Sequence, residues 1–160
     1  MHRRNIITAA FRIACATPPI SAMAVAQARA EQERAAAARL AAAEYAKVAY
    51  HLSDLDKVDF VLGNIRNHYA GMGGPDHVTI VLVIHGPALK AFHLAAAAPD
   101  VTKNAEELKN VGLQLNACIN TMRAQKVTLK DLLPGFIVAE KGAVVRLAEL
   151  QSQGYSYLRP

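Results

Sequence analysis

The sequence predicts an α/β fold built on a mostly parallel sheet of about five strands. Three observations carry that prediction. His77–Ile84 is a near-continuous β-branched run, the composition of a central parallel strand buried on both faces. From Tyr45 onward, short apolar runs alternate with segments of helical period, the order that strand–crossover–strand units produce. Glycine and proline clusters punctuate the change from one kind of segment to the other, as at Gly71–Pro75 and Gly86-Pro87. Ligands in such sheets gather at the carboxyl ends of the strands. By that rule His51, Leu52, Ser53, His85, Gly86, Asn116 and Cys118 lie along one rim.

The elements follow in order. Tyr45–Leu52 fits a first strand. Ser53 or Asp54 can cap a helix to about Tyr69, with Leu55, Val58, Leu62 and Ile65 on one face. Gly71–Pro75 is a plain turn. A phosphate cradle follows a strand and opens a helix, whereas this cluster follows a helix and opens a strand. After the central strand, His85-Gly86-Pro87 leads into a helix over about Ala88–Ala97, with proline in its first turn. Pro99-Asp100 breaks it, and Thr102 can cap a second helix to about Asn110. Val111–Cys118 reads as a buried strand, and a helical pattern resumes at Ile119. Leu129–Pro134 is a connector and Gly135–Ala139 a strand. Lys141 to about Gln153 is helical, with Val144, Leu147, Ala148 and Leu150 facing in, and Gly154 stops it. Tyr155–Leu158 alternates as a closing edge strand.

The 160 residues suggest one domain, and 52% hydrophobic content is enough for a real core. The formal charge of +5 is misleading, because Arg3, Arg4, Arg12 and Arg29 all precede the first acid, Glu31. The rest of the chain is nearly neutral and lacks the basic patch that nucleic-acid binding requires. Residues 1–30 read as an export signal: a basic start, an Ala-rich apolar stretch, and small-residue sites ending at Ala28 or Ala30. Arg3-Arg4-Asn5-Ile6-Ile7 resembles a twin-arginine signal. Export to the periplasm or beyond is the expectation, with a mitochondrial leader as the alternative. Arg12 and Pro18-Pro19 interrupt the stretch, so stable membrane insertion is not expected. Residues 31–44 have strong helix composition but a single large aliphatic residue, Leu40, and read as a helical spacer before a domain at 45–160.

Cys15 falls in the leader, so the domain holds one thiol, Cys118. One thiol excludes an internal disulfide, a CxxC pair and a cysteine-rich zinc site. Cys118 stands where a strand turns into a helix, beside unpaired N–H groups and the positive end of the helix dipole. That setting favours the reactive thiolate; the alternative is a small buried hydrophobe. His85 is a candidate proton partner, or a rim histidine bonded to backbone. Asn116 and Asn120 flank the thiol and can contact a bound anion, or serve as turn and cap residues. The remaining histidines share no close spacing, so no metal site is expected. No cofactor fingerprint, nucleophilic-serine motif or paired-carboxylate signature is present, and no cofactor is expected.

Three segments in this order resemble one family. They are Val83–Leu89 after the β-branched run, the cysteine strand Val111–Met122, and the closing helix and strand Gly142–Leu158. Together they resemble the DsrE/DsrF-like proteins, a group associated with sulfur oxidation and sulfur relay. The resemblance covers about Tyr45 to Pro160. It implies a Rossmann-like, flavodoxin-like three-layer sandwich, commonly assembled as a homotrimer or hexamer. It also implies that Cys118 corresponds to the cysteine that carries sulfur as a persulfide, with a sulfur donor or acceptor protein as partner. Apolar Phe92, Leu94 and Phe136 are candidates for the self-association surface. A non-catalytic oligomeric scaffold on the same fold is the competing expectation.

Overall fold

The computed structural model describes residues 22–43 and 46–160. The chain divides into a unit ending at Ala38 and a unit from Arg39 to Pro160. Helix α1 (Ala22–Ala43) has no apolar stripe, and its described side chains are exposed. The helical composition read over residues 31–44 therefore extends back to Ala22. The rest of the expected leader, Cys15 included, lies outside the described residues, as does Tyr45. Among the described residues no helix is long and apolar enough to cross a membrane.

From Ala46 onward the chain alternates strand and helix. The strands are β1 (Ala46–Leu52), β2 (Val78–Ile84), β3 (Gln114–Cys118), β4 (Phe136–Ala139) and β5 (Ser156–Leu158). The helices between them are α2 (Val58–Gly71), α3 (Pro99–Asn110), α4 (Ile119–Gln125) and α5 (Ala143–Ser152). Among the described residues the strands of the sheet all pair in parallel, in the order β4-β3-β2-β1-β5. β2 is central and almost wholly buried, as its β-branched run requires. The three-layer α/β architecture expected from the sequence is present, with β4 and β5 as the two edges.

The two faces follow from the strand period of two. Val48, Tyr50, Leu52, Ile80, Leu82, Ile84, Leu115 and Ala117 point to one side. There Val61, Leu62 and Ile65 of α2 and Val101, Ala105 and Leu108 of α3 complete the main core. Ala49, Val81, Val83 and Cys118 point to the other side, where Ala143, Leu147 and Leu150 of α5 cover them. The chain steps β1-β2-β3-β4 in one direction, then returns across the sheet to β5. Crossovers keep one hand, so the reversal of direction puts α5 on the face opposite α2 and α3.

Six local expectations are corrected. The helix expected over Ala88–Ala97 is a 3₁₀ segment, Gly86–Phe92. His93 turns extended and bridges Leu132, and Leu133 N–H donates to Phe92 O, so pairing to the segment before β4 overrides alanine propensity. Pro99 does not break a helix but opens α3, where its missing N–H costs nothing. The Thr102 hydroxyl donates back to Ala98 O instead of capping. Asp54 flanks a short 3₁₀ turn, Leu55–Lys57, without a side-chain cap bond. Its carboxylate instead accepts from Ser53 and Arg159. On α5 the buried stripe is Ala143, Leu147 and Leu150, while Val144, at 74% exposure, and Ala148 face out. Phe92 and Phe136 are core residues packed edge to face at 5.5 Å, so of the three apolar surface candidates only Leu94 is exposed.

Candidate functional site

The connections from β3 and β4 separate the site from the rest of the rim. Cys118 ends β3 and pairs in register with Ala139, the end of β4. From β3 the chain enters α4, whose Met122 joins the main core. From β4 it enters α5 on the opposite face. Adjacent parallel strands whose connections part to opposite faces leave a crevice at their carboxyl ends. Cys118 sits in that crevice as the N-cap residue of α4.

Both helix starts turn donors toward the sulfur. The Ala143 N–H, first in α5, donates to Cys118 Sγ at 3.3 Å. Burial pushes the Cys118 thiol up. The backbone N–H groups of Thr121, Ala143 and Asn120 and the Thr121 hydroxyl outweigh it, so the thiol ionises below its ordinary value. Thr121 Oγ1 also accepts the Gly86 N–H at 2.9 Å, and Gln125 Nε2 donates to Gly86 O at 2.8 Å. These two bonds pin α4 to the turn after β2. Gly142 has φ of 91°, and a Cβ there would lie 2.8 Å from Asn120 Nδ2, so glycine is what lets the α5 start approach Cys118.

Cys118 borders a cavity of about 360 Å³ lined by His85, Asn120, Thr121, Lys141, Gly142, Ala143, Val144 and Val145. Cys118 as a residue is only 5% exposed. Of the residues singled out in the sequence, His85, Asn120 and Cys118 thus share one cavity. Asn116 does not join them. It faces a neighbouring cavity of about 350 Å³ on the β4 side, where Arg146 Nε donates to its Oδ1 at 2.9 Å. Asn116 is buried, and its Nδ2 has no partner among the described residues. Lys141 lines both cavities. Arg123 stands exposed in the last turn of α4 and takes no part.

The sequence reading missed Thr121 and Gly142 with Ala143, and it set His51 on the rim without pairing it to His85. Gly142 before an apolar helical run was the legible signal. The approach of α5 to β3 was not legible, because it depends on which strand neighbours β3. His51 Nε2 lies 2.6 Å from His85 Nε2, although 34 residues separate the two. Among the described residues no group of three or more His, Cys, Asp or Glu side chains converges in a way that could hold a metal ion.

Comparison with solved structures agrees with this arrangement. A protein of unknown function from Methanobacterium thermoautotrophicum, MTH1491, matches with a TM-score of 0.64 and 26% identity, over 72% of this chain and 99% of that one. A conserved protein of unknown function from Bacteroides thetaiotaomicron, BT1422, shares the fold with a TM-score of 0.54 and 19% identity, over 71% of this chain and 94% of that one. No curated protein matches the chain. The model of the DsrE/DsrF-like family matches residues 21–160, the whole strand-and-helix domain with its cysteine crevice, and the chain belongs to that family.

Proposed function

We propose that this protein is a sulfur carrier of the sulfurtransferase-like kind, holding sulfur as a persulfide on Cys118 and passing it to a partner thiol. The observation that carries the reading is the position of Sγ between two helix starts, beside an open cavity, with N–H donors that favour thiolate. Family membership supports a sulfur-relay role. In the loading step the thiolate attacks the outer sulfur of a persulfide or polysulfide. A new Sγ–S bond forms, the donor S–S bond breaks, and its electron pair leaves on the donor thiolate. In the unloading step a partner thiolate takes that outer sulfur and Cys118 leaves as thiolate. No net oxidation occurs and no cofactor is required. Lys141 borders the cavity with its ammonium paired to Glu149 Oε1 at 3.0 Å.

The test is intact mass after treatment with polysulfide. The native protein gains about 32 Da, one sulfur atom, and Cys118→Ser gains none while keeping its fold. The burial of Cys118 and the outward Val144 and Ile137 favour the second reading, an oligomeric scaffold with an inert cysteine. A thiol that resists alkylation until the chain unfolds, with no mass gain, establishes that reading instead.

Two further proposals concern the whole chain. The protein is exported, with cleavage between about Ala26 and Glu31; a native N-terminus still at Met1 or His2 overturns this. It assembles as a homotrimer or hexamer through surfaces that include exposed Ile137, Val144 and Leu94. Light scattering that finds a monomer at tens of micromolar, roughly the range of weak oligomer affinities, overturns that.

A further inference from the structure

The face of the sheet that carries Cys118 also carries a chain of three hydrogen-bonding side chains that the sulfur chemistry above leaves unused. Tyr157 pairs with Ala49, and His51 is the next residue along β1 on that same face. His51 pairs with Val83, and His85 lies two positions beyond Val83, again on that face. The His85 backbone N–H continues the ladder to Leu52 O, which holds its ring beside that of His51. The two imidazoles meet nitrogen to nitrogen, with centroids 4.8 Å apart and planes inclined by 20°. Their Nε2 atoms are 2.6 Å apart, and His51 Nδ1 is 2.6 Å from the Tyr157 hydroxyl.

Two ring nitrogens at that separation share one proton. Two lone pairs would repel, and two N–H groups would collide. The tautomer of one ring therefore dictates the tautomer of the other. His85 spends Nε2 on His51, and its Nδ1 has no other hydrogen-bond partner among the described residues. His85 itself lines the Cys118 cavity, whereas Tyr157, at the opposite end, is exposed at the β5 edge.

We propose that Tyr157, His51 and His85 form a proton relay between solvent and the Cys118 cavity, with His85 at its inner end. The proposal rests on the reading of Cys118 as the sulfur-carrying thiol. A proton leaving the thiol is taken at His85 Nδ1, directly or through one water. The Nε2 proton of His85 crosses to His51 Nε2, and the Nδ1 proton of His51 leaves by way of the Tyr157 hydroxyl. Both rings end neutral, each in its opposite tautomer, and the thiol is left as thiolate. The reversed tautomers are then set to carry a proton inward, to a thiolate released in the cavity. His85 acts on the reacting thiol; His51 and Tyr157 are positioning residues that act through it.

The charged groups around the pair fit this use. Arg159, from the end of β5, and Asp54, from the turn after β1, face both rings and pair with each other at 3.2 Å. Lys141 and Cys118 share the cavity with His85. Burial lowers the His85 value, and Arg159 lowers it further against a smaller opposing effect of Asp54. Burial also comes first for His51, followed by His85 and Arg159, so both rings are neutral near pH 7. Neutral rings both donate and accept, which a pair of imidazolium ions cannot do.

The experiment is the pH dependence of Cys118 alkylation by iodoacetamide in the folded full chain, alongside the polysulfide mass measurement. The expected profile has the thiol step and a second, lower inflection from the histidine pair. His85→Gln removes the lower inflection. His51→Gln and Tyr157→Phe move it by about one unit, although Tyr157 touches neither His85 nor the thiol. Tyr157→Phe removes only a hydroxyl at an exposed edge, so it reads the relay even if the histidine variants fail to fold. Imidazole ¹⁵N shifts of the unmodified protein are expected to show His51 and His85 titrating as one coupled unit. Profiles of folded variants that superimpose on the unmodified protein, or two rings that titrate independently, overturn the relay. Mass gain with superimposed profiles leaves the sulfur reading standing without the relay. Shifted profiles without mass gain leave the relay standing and remove the sulfur reading. A thiol that never alkylates in the folded state removes both.

Discussion

The two faces of the sheet are made by the same strands and do different work. The face under α2 and α3 is closed by large aliphatic side chains, with Leu52, Leu62, Ile65, Ile80, Leu82 and Ile84 fully buried. The face under α5 has a small core of seven buried residues, among them the alanines Ala49 and Ala143 and the thiol Cys118. Beyond that core it carries His51, His85 and Asn116, all at alternate strand positions. One face supplies stability through buried area. The other keeps room for polar groups and cavities, at the expense of packing. A helix whose connection passes three strands, from β4 at one edge to β5 at the other, cannot cover them all, and the uncovered ends of β1, β2 and β3 are where the chemistry collects.

The contrast can be broken from the stable side first. Leu82→Ala on the α2/α3 face leaves a cavity in close-packed surroundings and costs about 2–5 kcal/mol in urea unfolding. In the folded fraction Cys118 alkylates as before, because the opposite face carries the thiol. An equal loss of thiol reactivity would mean that the faces are not separable.

Gly142→Ala sharpens the contrast from the other side. The new Cβ meets Asn120 Nδ2 at 2.8 Å, and the backbone φ of 91° suits only glycine, so a cost of about 1–3 kcal/mol is expected. The larger effect is chemical. Moving the Ala143 N–H away from Sγ takes one donor from the thiolate, and the alkylation profile shifts to higher pH. An unshifted profile would show that the α5 start does not set the thiol.

The smallest effect is on pH dependence. His51 and His85 both have folded values below the free imidazole value, first because of burial. Such groups bind protons more readily in the unfolded chain. Stability is therefore full above about pH 6.5 and falls as pH drops from there through the folded values. Urea midpoints of the unmodified protein are expected to decline across that window, and those of His51→Gln to decline less. Parallel curves would place the acid sensitivity elsewhere.

Much of this architecture was legible because it rests on local periodicity. The β-branched run of β2, the alternation of strand and helix, and the thiol at the end of β3 are all properties of neighbouring residues. The α5 face was misread for a related reason. Val144 and Ala148 form an apolar stripe next to Ala143, Leu147 and Leu150, and a helical period cannot tell which of two adjacent stripes meets the sheet. Phe92 and Phe136 were read as surface because nothing local marks a partner 44 positions away in sequence. The helix expected at Ala88–Ala97 failed because His93 pairs with Leu132, a contact that propensity does not contain.

The sequence by itself determined the strands, the parallel α/β class and the position of Cys118 at a strand end, since hydrophobic period and turn residues act over a few neighbours. Only the tertiary structure decided what surrounds the sulfur. The return of the chain from β4 to β5 sends α5 to the second face and brings the Ala143 N–H to Sγ. The register of β1 against β2 and β5 brings His51 to His85 and Tyr157. Those contacts join residues between 25 and 106 positions apart, and strand order, which no local pattern encodes, is what closes the distance.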